Sequence, residues 1–334
     1  MIKILIDKQL EGRVHDFSNE LFTKRQANFV KPKEALKILH DKLGKIKHKK
    51  HREYINKIIN EYSSIIVADP SQIKNLITEF NKIDTGDILN ECVPNKKIKF
   101  YEAIIKAMRY EDLRESEFHS YVKASGIKSC VYCNAQLTVV VNFSFYDKKE
   151  KKKKPKIMAK LELDHFHSKS QYPFLSTSFY NLYPVCGNCN RAKSYNRIDF
   201  ELYTKDVNEV NQFNFWIDDN SILEYWLSLD SSNLRVHFES SNGDFVFLNE
   251  YNKMFGIQGI YDTQIDIAEE LVHKAKAYTE AYKASLVDNF KSLFPDKLIL
   301  DRIIAGNYVD QSEIHKRPMA KYSQDIARQL KLIK

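Results

Sequence analysis

Glycine is scarce in this chain: 9 residues of 334, with 8 prolines and 2 tryptophans. So few glycines argue against barrels and propellers built on tight turns, and the abundance of Lys, Ile and Asn favours helices. No apolar run approaches the ~20 residues of a membrane span. The N-terminal stretch Met1 to Asp7 is too short, and too soon interrupted by charge, to be the apolar part of a signal peptide. A cytoplasmic protein without membrane contact is expected. The chain has no internal repeat, and no G-x-x-x-x-G-K-[ST] loop for nucleotide hydrolysis.

Cysteine is also rare, at 5 residues, but its placement is not random. Cys130-Val131-Tyr132-Cys133 and Cys186-Gly187-Asn188-Cys189 form two C-x-x-C pairs. In a reducing compartment such pairs bind metal rather than form disulfides. Four thiolates suit a closed, tetrahedral, structural Zn²⁺ site. The fifth, Cys92, is expected to be a buried or half-buried thiol.

The hydrophobic content of 43% allows a sizeable core. Most of it is arranged with helical spacing. Leu36, Leu39 and Leu43 form one stripe, and Tyr54, Ile55, Ile58, Ile59 and Tyr62 a second. Ile73, Leu76, Ile77 and Phe80 follow Asp69-Pro70, a capping acceptor with proline at the first helical position. Phe100, Ala103, Ile104, Ala107 and Met108 form a fourth. The cluster Lys45 to Arg52, with His48 and His51, reads as a solvated helix face. Leu137–Phe145 and Ile157–Leu163 read as a hairpin whose tip holds Lys151, Lys152, Lys153 and Lys154. Leu234–Phe238 and Phe245–Leu248, around Asn242-Gly243, read as a second hairpin. His237 is expected to face outward. From Asp262 to Phe294 the chain is expected to be helical, with His273 unpartnered, and Pro318 to open the last helix.

The net charge is +8. Residues 125–199 hold 13 Lys/Arg against 5 Asp/Glu, so this segment carries the whole excess and the remainder sums to zero. A basic footprint around a metal-type site suggests a polyanionic partner, most plausibly nucleic acid.

Three regions result: a helical N-terminal region (1–125), a site-bearing core with the cysteines and the basic hairpin (126–200), and a mixed, then helical C-terminal region (201–334) packing on the first. The fold class is mainly α with a small inserted α+β module.

Leu163-Asp164-His165, then Asn181-Leu182, then Cys186-x-x-Cys189-Asn190-Arg191-Ala192-Lys193-Ser194, in that order inside the cysteine frame, resembles an HNH endonuclease of the ββα-metal type. The likeness covers about 65 residues. Asn190 stands at the last position, a variant also seen in the HNH domain of CRISPR effector nucleases, and Ser168 stands where many relatives carry proline. The resemblance implies that Asp-His ends the first strand, Asn181 precedes the second, and Asn190 lies on the helix. It implies hydrolysis of phosphodiester bonds, with DNA favoured over RNA.

Such cleavage needs a base for the attacking water and positive charge on the phosphoryl and leaving oxygens. His165 is the candidate base, since an unperturbed pKa of ~6.5 suits neutral pH. Asp164 and Asn190 are candidate oxygen ligands of a catalytic Mg²⁺ or Mn²⁺. By resemblance, Asn181 orients His165. His167, Lys193, Arg191 and Lys151 to Lys154 are candidate nucleic-acid contacts. Neighbouring strand residues point to opposite faces, so a local distortion is expected to bring Asp164 and His165 to one site. A non-catalytic zinc-dependent nucleic-acid-binding module and an RNA-cleaving toxin are the alternatives. More loosely, the helical flanks and Lys316-Arg317-Pro318-Met319-Ala320-Lys321 are similar to HNH effectors of Septu- and retron-type anti-phage systems. Those work beside an ABC-like ATPase encoded nearby, which would supply the nucleotide motif absent here.

Overall fold

A computed structural model describes residues 1–83, 87–94, 97–194 and 196–334. The protein is mainly helical with small sheets. After a two-residue strand β1 (Ile4–Leu5) the N-terminal part carries α1 (Lys8–Glu20), α2 (Pro32–Asp41), α3 (Lys49–Val67), α4 (Pro70–Asn81), α5 (Phe100–Ala107), the single turn α6 (Tyr110–Asp112) and α7 (Phe118–Ser125). The four apolar stripes seed its core: Leu36, Tyr54, Ile55, Ile58, Ile73, Phe80, Phe100, Ile104 and Met108 are all buried. Asp69 caps α4 as its sequence predicts, accepting the Gln72 N–H at 2.9 Å with Pro70 in the first turn.

The central segment holds β2 (Val139–Asp147), β3 (Lys152–Lys160), β4 (Glu162–His165), β5 (Leu182–Val185) and α8 (Gly187–Lys193). The C-terminal part holds β6 (Tyr203–Thr204), β7 (Phe213–Ile217), α9 (Asp219–Ser228), β8 (Val236–Ser240), α10 (Phe245–Phe255), α11 (Ile257–Asp262), α12 (Ile265–Ala277), α13 (Glu280–Asn289), α14 (Lys297–Ala305) and α15 (Ala320–Gln329). Among the described residues the strands form four two-stranded sheets: β1–β6 parallel, and β2–β3, β4–β5 and β7–β8 antiparallel. One apolar core runs from Met1 through the cysteines to Ile333. Among the described residues no helix is long and apolar enough to cross a membrane.

Several expectations are corrected. Phe245–Leu248 is not the second strand of a hairpin but the start of α10: Asp244 accepts the Phe247 N–H at 2.9 Å as a helix cap, and Leu248, Tyr251 and Phe255 are buried at helical spacing. β8 pairs instead with the earlier β7, where Phe213, Phe215 and Ile217 alternate inward. The stretch 262–294 breaks into α12 and α13, because Thr279 caps a new start by accepting the Tyr282 N–H. His51 is buried, 3.3 Å from Glu91 and edge-on to Phe100. It belongs to the core, whereas Lys45, Lys47, Lys49 and Lys50 are exposed. His273 has a partner, the Tyr225 hydroxyl at 2.6 Å. Cys92 is exposed rather than buried. Lys152, Lys153 and Lys154 lie within β3 rather than in the connecting tip.

A four-cysteine cluster beside a histidine cleft

The first cysteine pair sits in a tight turn before β2. Asn134 ends that turn with φ +52°, a conformation Asn tolerates better than most residues. Its N–H donates to the Cys130 carbonyl at 2.8 Å. Its side chain donates to Ser129 Oγ at 2.7 Å and the Ile314 carbonyl at 3.0 Å, and accepts the Lys321 N–H at 2.9 Å. Tyr251 and Tyr261 donate their hydroxyls to the carbonyls of Tyr132 at 2.6 Å and Cys133 at 2.8 Å. Helices α10 and α11 thus hold the turn through its own backbone and α15 holds it through the Asn134 side chain, so the side chains of Cys130 and Cys133 are free to be ligands.

The second pair starts α8. Cys186 caps the helix, its sulfur accepting the Cys189 N–H at 3.4 Å. The four sulfurs lie within 4.8 Å of one another, and all four cysteines are buried. A tetrahedron with ~2.3 Å arms fits that spacing. The cluster could hold a structural metal such as zinc. Hydrogen bonds from the other three thiols push Cys186 toward the thiolate, the form a metal needs, whereas burial at Cys130 and hydrogen bonding at Cys189 favour the thiol.

Tyr132, between the first two cysteines, is fully buried and carries the link to the second site. Its hydroxyl donates to Asp164 Oδ2 at 2.7 Å. Lys193, from the last turn of α8, lies 2.9 Å from the same oxygen and donates to Oδ1 and to the His165 carbonyl, both at 3.1 Å. Burial pushes the Asp164 carboxyl above its ordinary value, while Lys193 and Tyr132 oppose the rise.

His165 follows on β4, 7% exposed. Its Nε2 lies 3.0 Å from the Ser176 carbonyl, which can only accept, so Nε2 carries the proton and Nδ1 the lone pair. Its ring stands 4.7 Å from that of Tyr110. Burial, then the nearby Lys169, lowers its pKa to about 3, against the raising effect of the Ser176 carbonyl. The ring is therefore neutral at physiological pH. Asp164 and His165 do point apart, as strand parity requires, Asp164 to Tyr132 and α8 and His165 to Tyr110 and Ser176. Because β4 ends at His165, both still border one cleft of about 220 Å³, together with His167, Lys169, Asn190, Lys193 and Arg197.

The remaining candidates fall on either side of that cleft. Asn181 is fully buried, and its side-chain hydrogen bonds go to backbone rather than to the His165 ring. It accepts the His167 N–H at 2.7 Å and donates to the His167 carbonyl and the Leu175 carbonyl, both at 3.1 Å. It ties the exit of β4 to the loop that carries the Ser176 carbonyl, so it sets His165 through backbone. Asn190 donates to Glu162 Oε2 at 2.5 Å, leaving its own oxygen without a bond from a described residue. His167 lines the cleft, its pKa lowered to about 4 by burial and by Arg197, Lys74 and Lys193. Lys193 is no free phosphate contact: it is 3% exposed and paired with Asp164. Arg191 is exposed and donates to Asn188 on its own helix. At the hairpin, Lys152 lies 2.8 Å from Glu150, and Lys154 reaches Asp147 at 2.8 Å and Glu150.

Lys169 was not singled out by sequence. Its ammonium stands 4.7 Å over the Tyr110 ring, and it makes no ion pair among the described residues. Of the neighbouring cations it lowers the His165 pKa most, and no motif in the sequence marks it. Comparison with family models, with curated proteins and with solved structures finds no match.

Proposed function

We propose that the strand–strand–helix unit from Glu162 to Lys193 is the core of an HNH-type endonuclease hydrolysing phosphodiester bonds of nucleic acid, DNA in preference to RNA. The observation that carries this reading is the state of His165. The Ser176 carbonyl fixes its tautomer and its neutrality leaves Nδ1 able to take a proton from water at the edge of a cleft. The chain order of β4, the Asn181 turn, β5 and α8 supports the same reading, as does the basic excess over residues 125–199.

In this account the four cysteines hold a structural Zn²⁺ that joins the Cys130 turn to α8. Oxygens of Asp164 and Asn190 on the cleft wall are the hard donors that Mg²⁺ or Mn²⁺ takes. They fit such an ion in kind, but the Lys193 ammonium already sits on the carboxylate and must give way to it. A divalent ion, when bound, supplies Lewis acidity to the phosphoryl and leaving oxygens. The chain's own residues do the rest. His165 takes the proton of the attacking water, Ser176 and Asn181 hold its ring and strand, and Lys169 and Arg197 face the phosphate. Burial makes His165 a weak base in the free protein; an anionic phosphate at the cleft raises its proton affinity toward the useful range.

The pairing of Lys193 with Asp164 favours one second reading, a non-catalytic zinc module that only binds nucleic acid. Plasmid nicking by the zinc-loaded protein, titrated with Mg²⁺ and Mn²⁺, separates the two. The nuclease reading expects cleavage that needs the added ion. Binding without cleavage at any concentration of either ion favours the binding module. A role in anti-phage defence beside an ABC-like ATPase is supported by the sequence resemblance alone.

A further inference from the structure

The β2–β3 hairpin is the one sheet whose described strands are mostly exposed on both faces. Its strands pair only with each other, over nine residues each, a length of about 30 Å. Directly paired residues share a face. One face carries Phe143 opposite Lys156 and Phe145 opposite Lys154, then Val141 opposite Met158 and Val139 opposite Lys160. Phe143 and Phe145 are 40% and 41% exposed. Two phenyl rings in solvent on a thin ribbon are not core. An isolated two-stranded ribbon is itself only marginally stable, so exposed rings there bring no packing benefit to the free protein.

The charge beside the rings says what they meet. Residues 147–160 hold eight lysines and two acids. Both acids lie at the tip, where Asp147 and Glu150 bind Lys152 and Lys154. Lys156, next to Phe143, and Lys160, further along the same face, make no ion pair among the described residues. Apolar rings on a face that also carries the unpaired ammonium groups of Lys156 and Lys160 do not suit an apolar or cationic protein surface. They suit a ligand that is a polyanion on one side and a flat π-surface on the other.

Resting on the nuclease reading above, we infer that this face is a stacking platform for single-stranded nucleic acid, with Phe143 and Phe145 under unpaired bases and Lys156 and Lys160 on the phosphates. A paired duplex offers the lysines its phosphates but keeps its base faces stacked inside, so it has no use for the rings. The geometry also explains why the platform is where it is. Only Leu161 separates β3 from β4, so a strand lying along the hairpin is handed toward Asp164 and His165. The substrate class that follows is single-stranded nucleic acid, or a duplex with an unpaired stretch beside the scissile bond.

The test is fluorescence anisotropy with a labelled oligothymidylate and a labelled duplex, on a His165→Ala background that prevents cleavage. Removing the rings, Phe143→Ala with Phe145→Ala, is expected to weaken oligothymidylate binding about tenfold or more, as loss of base stacking does. Duplex binding should stay within about twofold. Lys156→Gln with Lys160→Gln should weaken both ligands and lower the salt slope of the single strand by about 1.4. Zinc content should be unchanged in all variants, since Phe143, Phe145, Lys156 and Lys160 are exposed side chains outside the core. Wild-type oligothymidylate affinity in the ring variant overturns the inference, as does an equal loss on both ligands. Failure of the nuclease reading shows separately, as plasmid left uncut by the wild-type protein with Mg²⁺ or Mn²⁺.

Discussion

The cysteine cluster and the His165 cleft lie within the same 65 residues, from Cys130 to Ser194, yet they are built in opposite ways. The cluster joins four like groups, all buried, around one centre. Its backbone is tied down by distant tyrosines and Asn134, which leave the ligand atoms alone. The cleft joins unlike groups, and each is held by something other than its neighbours in the motif. His165 is set by the Ser176 carbonyl, Asp164 by Tyr132 and Lys193, and Asn190 by Glu162. The difference teaches that a site whose members converge on one atom is robust as a unit. A site whose members are positioned by third parties can lose its chemistry while its fold stays intact.

The largest expected effect attacks the first half of that contrast. Cys130→Ser or Cys189→Ser leaves three buried thiols and no closed site, and metal binding is linked to folding. The expected result is loss of folded soluble protein, seen as lost zinc by elemental analysis and lost helical circular dichroism. Folded, soluble Cys130→Ser protein without zinc would show that the cluster is not the frame.

Asn181→Ala comes next. It leaves the His167 N–H and two carbonyls without their partner in a dry environment, which costs about 3 kcal/mol. Denaturant midpoints check this. The zinc content should be unchanged, because Asn181 touches no cysteine. Tyr132→Phe is milder, about 1.5–3 kcal/mol for a hydrogen bond to a carboxylate. It sharpens the contrast most, because the residue lies between two cysteines of the cluster and yet serves the cleft. Its zinc should stay, and its cleavage rate should fall as Asp164 loses one of its two anchors.

The pH dependence is smaller and has a definite sign. His165 is held below its unfolded pKa of ~6.5, so the unfolded chain binds a proton that the native one does not. This stability is complete above pH 6.5 and is lost as pH falls from 6.5 toward the folded value of about 3. One such buried ring contributes a slope of about 1.4 kcal/mol per pH unit. Urea midpoints between pH 6.5 and 5 should therefore fall more steeply in the wild type than in His165→Asn. Equal slopes would place His165 in water rather than in the protein interior.

The same contrast explains what could be read in advance. The spacing of the cysteines announces their cluster because ligand spacing is local. The apolar stripes around Leu36, Tyr54 and Phe100 announce helices for the same reason. Lys193 could not be placed that way: a lysine in the last turn of a helix looks solvated until the fold puts a buried aspartate 2.9 Å away. Ser176 contributes only a carbonyl, which no residue type reveals. Phe245–Leu248 matched a strand by composition, but the Asp244 cap and the later Tyr251 and Phe255 made it a helix. Periodicity over eleven residues overrode a four-residue run.

The central claim is that the cleft performs hydrolysis while the cysteines hold the frame. Single-turnover cleavage of nucleic acid by His165→Ala tests it most directly, with zinc content and thermal midpoint measured on the same sample. The account predicts a rate lower by about 10²–10⁴-fold, the usual worth of a general base, with zinc and fold at wild-type levels. Cleavage at the wild-type rate, with contaminating nuclease removed, would contradict it.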